Sequence, residues 1–177
     1  MTSIRASRLF AYAAACAALL ALVAVPPTQA QQARNVTIKQ VSSGRFLTAY
    51  KDAGHDFRVV TRSSFNPKTC VWVMTPQGGG IFTLRQAGTA RFLDAHEIAE
   101  KDFHLVTRPR QTFDRTQLWR AVDQKQDGVH TFVQVSSGRF MDAHEYAGKD
   151  FGVVTRPPQN NATQLWQVSS YLGNIEF

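Results

Sequence analysis

Val41-Ser-Ser-Gly-Arg-Phe-Leu-Thr-Ala-Tyr50 returns as Ala87-Gly-Thr-Ala-Arg-Phe-Leu-Asp-Ala-His96, and again as Val135-Ser-Ser-Gly-Arg-Phe-Met-Asp-Ala-His144. Each copy runs on into a second shared segment: Asp56-Phe-Arg-Val-Val-Thr-Arg62, Asp102-Phe-His-Leu-Val-Thr-Arg108 and Asp150-Phe-Gly-Val-Val-Thr-Arg156. A third follows: Cys70-Val-Trp72, Gln117-Leu-Trp119 and Gln164-Leu-Trp166. Arg45 and Arg91 are 46 residues apart, Arg91 and Arg139 are 48 apart, and the arginine-to-aspartate spacing is 11 every time. A fixed period of this length marks a threefold internal repeat, so the architecture follows from what one repeat can do.

Each repeat reads as short strands. Val36 to Val41, Ile81 to Gln86 and His130 to Val135 are rich in β-branched and aromatic residues and end in turn formers. Asp127-Gly128 is a hairpin signal. No segment after residue 30 sustains a 3.6-residue apolar period over three turns. The expectation is an all-β chain with about four strands per repeat. No single repeat can bury its apolar face alone, and closing three of them around a pseudo-threefold axis removes the exposed sheet edges. That arrangement is a β-trefoil. Phe46, Phe92 and Phe140, with Phe57, Phe103 and Phe151, are expected to meet in layers near the axis, with Trp72, Trp119 and Trp166 in wedges below.

The chain begins differently. Arg5 and Arg8 precede an uncharged run from Leu9 to Val25, and Pro26-Pro27-Thr28-Gln29-Ala30 follows. A basic start, an apolar stretch and small residues before a cut read as a secretory signal, expected to be removed after Ala30. The expected address is secreted or periplasmic. Residues 31–177 then form one domain, with repeats at about 36–80, 81–128 and 129–177, and no later run is long enough to span a membrane. Removing the leader takes away two of the 20 basic residues and none of the 13 acidic ones. The remaining charge of +5 is scattered among acids, which reads as a mixed solvated surface rather than a nucleic-acid footprint. Cys16 leaves with the leader, so Cys70 is alone and cannot form a disulfide within the domain. Asn35-Val-Thr and Asn161-Ala-Thr fit the N-glycosylation acceptor pattern.

Gly138-Arg-Phe-Met-Asp142 and the Gln-Leu-Trp triplets at 117–119 and 164–166 resemble the β-trefoil of ricin B-type lectins, whose hallmark is a Gln-any-Trp triplet in each repeat. The resemblance covers essentially all of 31–177. It implies carbohydrate binding, with an Asp after the first strand accepting hydrogen bonds from sugar hydroxyls. Asp94 and Asp142 hold that place, and the first repeat has Thr48. The chain departs from the pattern where an aromatic usually stacks on the sugar, near Arg62, Arg108 and Arg156, and where Asn often precedes the Gln, at Thr69, Thr116 and Thr163.

Comparison of the copies sharpens the candidates. Arg45, Asp56, Phe57, Val60, Thr61 and Arg62 recur in all three repeats, which reads as scaffold, with the Arg and Asp expected to pair across the hairpin. Asp-Ala-His-Glu occurs at 94–97 and 142–145, while the first repeat has Thr48-Ala-Tyr-Lys51. The fold therefore does not demand those polar groups, and directional donors and acceptors are what replaces water on a neutral sugar. Candidate carbohydrate-binding residues are Asp94, His96, Glu97, Asp142, His144, Glu145 and Tyr146. Phe113 and Tyr50 are further aromatics for a sugar face. The alternative reading of the tetrapeptide is that Asp and His tie the hairpin together by local hydrogen bonds.

Other chemistries fit poorly. Successive strand residues point to opposite faces, so at most two of Asp94, His96 and Glu97 converge on a metal. His96-Glu97 lacks the second His of a helical zinc-protease motif, no Gly-x-Ser-x-Gly turn occurs, and nothing places two carboxylates across a cleft. No enzyme activity, cofactor or metal is expected. The expected partner is a glycan or polysaccharide, bound through the second and third repeats. The alternative is a protein-binding β-trefoil, an inhibitor or adhesion module, acting through loops 109–116 and 123–128.

Overall fold

A computed structural model describes residues 32–175; the expected secretory leader, Cys16 and the cleavage position lie outside the described residues. The first repeat forms β1 (Arg34–Gln40), β2 (Phe46–Ala49), β3 (Val59–Arg62) and β4 (Val71–Gly78). The second forms β5 (Ile81–Gln86), β6 (Phe92–Ala95), β7 (Leu105–Arg108) and β8 (Trp119–Asp123). The third forms β9 (Val129–Gln134), β10 (Phe140–Ala143), β11 (Val153–Arg156) and β12 (Trp166–Ser170). A short α-helix, α1 (Pro67–Cys70), precedes β4.

Six strands close a barrel through antiparallel pairs: β1 with β4, β4 with β5, β5 with β8, β8 with β9, β9 with β12, and β12 back to β1. The other six form three hairpins, β2–β3, β6–β7 and β10–β11. The hairpins hand on to one another in a ring. Thr61 N–H donates to Phe151 O at 2.9 Å, Thr107 to Phe57 O at 3.0 Å, and Thr155 to Phe103 O at 3.0 Å. The fold is a β-trefoil.

The core repeats with the same period. Leu47, Leu93 and Met141, Val59, Leu105 and Val153, and the three tryptophans are fully buried in one cluster. Each indole N–H donates to a carbonyl of its own repeat: Trp72 to Leu47 O at 3.0 Å, Trp119 to Leu93 O at 3.2 Å, Trp166 to Met141 O at 3.1 Å. The tryptophans thus fasten each hairpin to its barrel strand while filling the interior.

Two features differ from what the sequence leads one to expect. Phe46, Phe92 and Phe140 do not form an axial layer. They are half-buried, and the next residue of each strand enters the core instead. Strand side chains alternate, so Leu47 and Ala49 share the inner face and Phe46 cannot. Nor do Arg45, Arg91 and Arg139 pair with the hairpin aspartates. Each guanidinium lies over a phenylalanine of the preceding repeat: Arg45 on Phe151 at 3.7 Å, Arg91 on Phe57 at 3.6 Å, Arg139 on Phe103 at 3.8 Å. Each also donates to the Thr61, Thr107 or Thr155 carbonyl of its own hairpin. The Asp-Phe pairs recur because both residues are left-handed, with φ between 49° and 52°. Asp tolerates that region and Phe rarely visits it, so the stacked guanidinium helps hold a conformation that sterics disfavour.

Candidate functional site

Asp94 and Asp142 follow core leucine and methionine on β6 and β10, on the strands' other face, yet both are fully buried. Asp94 Oδ1 accepts from Ala95 N–H at 2.7 Å, and its Oδ2 lies 3.4 Å from Gln117 Nε2 and 3.5 Å from Arg108 Nη1. Asp142 repeats this with Ala143 N–H at 2.7 Å, Gln164 Nε2 at 3.4 Å and Arg156 Nη1 at 3.8 Å. A buried carboxylate is held this way because it needs a cation and N–H donors to replace water. Neither aspartate reaches the surface, so direct contact with a sugar hydroxyl, the role the resemblance implied, is not available to them in this structure.

Their work is to hold the loop between β7 and β8, or β11 and β12. Gln117 Nε2 donates to Pro109 O at 2.9 Å and its Oε1 accepts from Gln111 N–H at 3.0 Å. Gln164 does the same with Pro157 O at 3.0 Å and Gln159 N–H at 2.8 Å. The first repeat replaces the Asp–Gln pair by Thr48 and Cys70, whose Oγ1 and Sγ are 3.2 Å apart, and Cys70 Sγ accepts from Asn66 N–H at 3.4 Å. The lone thiol is therefore buried in place of a glutamine.

The histidines reach the neighbouring repeat. His96 Nδ1 accepts from Arg108 Nη2 at 3.0 Å, and its Nε2 faces Asp56 at 3.3 Å. His144 Nδ1 accepts from Arg156 at 3.1 Å and Nε2 faces Asp102 at 3.3 Å. Burial, reinforced by the Arg156 charge, pushes the His144 pKa below its usual value, and the Asp102 hydrogen bond opposes this. In the first repeat Tyr50 takes the histidine's place, donating to Asp150 at 2.8 Å while Arg62 donates to the phenol at 2.5 Å. Burial and that Asp150 hydrogen bond raise the Tyr50 pKa. The glutamates clasp the next repeat as well: Glu97 accepts from Ser136 and Glu145 from Ser42. Tyr146 is half-exposed, its ring edge-on to His144 at 5.6 Å.

Two cavities lie against the glutamine ends of the Asp–Gln anchors. A cavity of about 300 Å³ in repeat 2 is lined by Arg110, Gln111, Phe113, Asp114, Arg115 and Gln117, with Gln77, Thr112 and Leu118 completing it. Phe113 is 98% exposed on its rim. The Gln111 amide, turned with its nitrogen toward the carboxylates, donates to Asp94 at 3.1 Å and Asp114 at 3.2 Å. A second cavity of about 550 Å³ occupies the matching place in repeat 3, lined by Phe140, Gln159, Asn160, Asn161 and Gln164 among others. Of the seven sequence candidates, none lines either cavity. Of the two further aromatics, Phe113 does and Tyr50 does not. Gln111, Gln117, Gln159 and Gln164 were missed as site residues. The signal that could have found them is internal to the chain: Gln accompanies Asp in repeats 2 and 3, and Cys70 accompanies Thr48 in repeat 1.

No family model matches the sequence, and no curated protein does. Solved structures do match. A designed threefold-symmetric protein, ThreeFoil, superposes with a TM-score of 0.67 at 20% identity, covering 77% of this chain and 99% of that one. A Polyporus squamosus lectin bound to the epitope Neu5Acα2-6Galβ1-4GlcNAc gives 0.65 at 18% identity, over 79% of this chain and 50% of that one. SeviL bound to asialo-GM1 saccharide gives 0.59 at 13%, over 78% and 98%. At these identities the likeness is one of fold, and it places the chain among β-trefoil proteins that include carbohydrate-binding lectins.

Proposed function

We propose that the protein is an exported, non-catalytic glycan-binding module whose sites are the two cavities beside the Asp94–Gln117 and Asp142–Gln164 anchors. The observation that carries this is Phe113, an apolar ring almost wholly exposed on the rim of a cavity lined for the most part by amide and charged side chains, with Thr112 and Leu118 beside them. A sugar has an apolar face and a hydroxylated edge, and a ring beside convergent polar groups meets both. Two neighbours of the same fold are lectins with saccharide bound, which supports the reading. Asp114 is the one carboxylate lining either cavity, whereas glycoside hydrolysis ordinarily requires two. Two sites on one body favour a polyvalent glycan through avidity. His96, His144, Glu97 and Glu145 serve this function at one remove, by fixing the repeats against each other.

The test is a glycan array on the purified protein and on Phe113→Ala. The wild type should bind, and the variant should lose repeat-2 binding about ten-fold or more, as expected for removing an aromatic face that a bound sugar would cover, with an unchanged melting temperature. Absence of glycan binding, together with Phe113-dependent capture of a protein target, would replace this reading with the protein-binding one.

A further inference from the structure

The two cavities occupy matching places in adjacent repeats, yet they differ in chemistry. Arg110, Asp114 and Arg115 line the one in repeat 2, whereas Pro158, Asn161 and Ala162 stand at the corresponding points in repeat 3. The wall of the repeat-3 cavity carries no charge among its lining residues; its polar side chains are the amides of Gln124, Gln159, Asn160, Asn161 and Gln164 and the hydroxyl of Thr131.

The two arginines that line the repeat-2 cavity carry no ion pair. Among the described residues neither Arg110 nor Arg115 has a carboxylate within ion-pair distance, whereas Arg62, Arg108 and Arg156 each do. Arg110 is held over the Phe92 ring at 4.9 Å, a contact that uses the guanidinium face and leaves its N–H edge free to donate. Asp114, the one acid in this cavity, has both oxygens engaged inside the loop, by Thr116 N–H at 2.9 Å and by the turned Gln111 amide at 3.2 Å. Its charge offsets one arginine and leaves the cavity net positive. Scattered surface arginines need no explanation, but two that line one concave site, one of them held by stacking, offer that site charge-assisted donors for an anionic group.

Resting on the glycan reading above, we infer that the repeat-2 cavity takes an anionic sugar, its carboxylate or sulfate held by Arg110 and Arg115 while Phe113 covers the ring, and that the repeat-3 cavity takes a neutral one. The overall surplus of basic residues is dispersed; the selective part of it is these two side chains.

Calorimetric titration of the purified protein with trigalacturonate, a sulfated heparin-derived oligosaccharide and neutral galactan and chitin oligosaccharides separates the cases. Binding of at least one acidic probe is expected. It should weaken as ionic strength rises from about 0.01 M to about 0.15 M, over which the Debye length falls from about 30 Å to about 8 Å. Arg110→Gln with Arg115→Gln should reduce affinity for that probe roughly ten-fold or more and leave the melting temperature and neutral binding unchanged. Gln159→Ala with Asn160→Ala should do the converse. Preference for carboxylate over sulfate, or the reverse, names the anion. Acidic binding that survives the arginine substitutions, or binding of neutral sugars alone, would overturn this inference while leaving the proposed function standing. Binding of none of these glycans would overturn both.

Discussion

Replacing Asp94 by alanine separates a ligand-contacting aspartate from a structural one. The carboxylate is fully buried, so its removal acts first on the groups that it satisfies. Arg108 keeps His96 Nδ1 at 3.0 Å and has about a third of its side chain in solvent, and Gln117 Nε2 keeps Pro109 O at 2.9 Å. Ala95 N–H, which donates to Asp94 at 2.7 Å, loses the acceptor that satisfied it. A buried donor left unmet costs about 1–3 kcal/mol, and a lost hydrogen bond to a charged group about 1.5–3 kcal/mol. These figures overlap, and relief of the carboxylate's own desolvation works against them. A net destabilisation of about 3 kcal/mol is expected, or roughly 6–12 °C in melting temperature for a domain of this size. Urea unfolding should show a lower midpoint at an unchanged slope. Asp142→Ala should behave alike, since its contacts are the same. A loss below about 1 kcal/mol with glycan binding abolished would refute the argument, because it would mean that the aspartate meets ligand rather than the loop.

Ala90 has φ of 59° where the other repeats carry Gly44 and Gly138 at 67° and 70°. Ala90→Gly should therefore gain about 0.5–1 kcal/mol in urea unfolding by relieving that left-handed alanine, and a loss would show the strain to be absent. Gly88 stands where the other repeats have Ser42 and Ser136, and a Cβ there would meet Lys68 O at 2.2 Å. Gly88→Ala should cost about 1–3 kcal/mol by the same assay, and a neutral result would mean that the approach of α1 is easily relaxed. His104 and His144 have pKa values pushed below the usual 6.5 by burial, and their rings lie 6.5 Å apart. Below that value the unfolded chain takes up protons that the folded one resists, so stability is complete above pH 6.5 and falls with acidification. Melting temperatures across that range should decline in the wild type and decline less in His104→Gln with His144→Gln; parallel curves would contradict the assignment.

The fold was legible because the repeat was. Once three segments align, the strand count, the barrel and the tryptophan wedges follow from the need of each repeat to bury one face. What misled was register. Phe46-Leu47 offers two adjacent apolar residues, and sequence alone does not say which faces inward; the structure does, with Leu47 and Ala49 in the core cluster and Phe46 half-buried on the other face. The site was legible only in part. Asp-Ala-His-Glu stands out in the sequence because the first repeat lacks it, and the structure commits Asp94, His96 and Glu97 to Gln117, Asp56 and Ser136. The cavity residues were harder to see because the loop 109–116 is one residue longer than its counterpart in repeat 3, which breaks the alignment where the chemistry lies.

Differences between copies within one chain therefore mean two things, and the location tells them apart. Each boundary in a closed threefold fold joins unlike neighbours, so side chains reaching across it must suit a partner in another copy. His96 meets Asp56, His144 meets Asp102, and Tyr50 with Arg62 meets Asp150. The glutamate clasp to serine joins repeats 2 and 3 and repeats 3 and 1. Between repeats 1 and 2, Lys51 replaces the glutamate and Gly88 the serine, and the backbone of α1 closes in instead. Such variation is matched, each change on one side answered on the other. Arg110, Phe113 and Arg115 vary with no answering change among the described residues: Arg110 stacks on Phe92, a phenylalanine present in every repeat, and Phe113 is 98% exposed. An exposed group in a concave site that no change elsewhere in the fold answers is where selection by something outside the chain is to be sought.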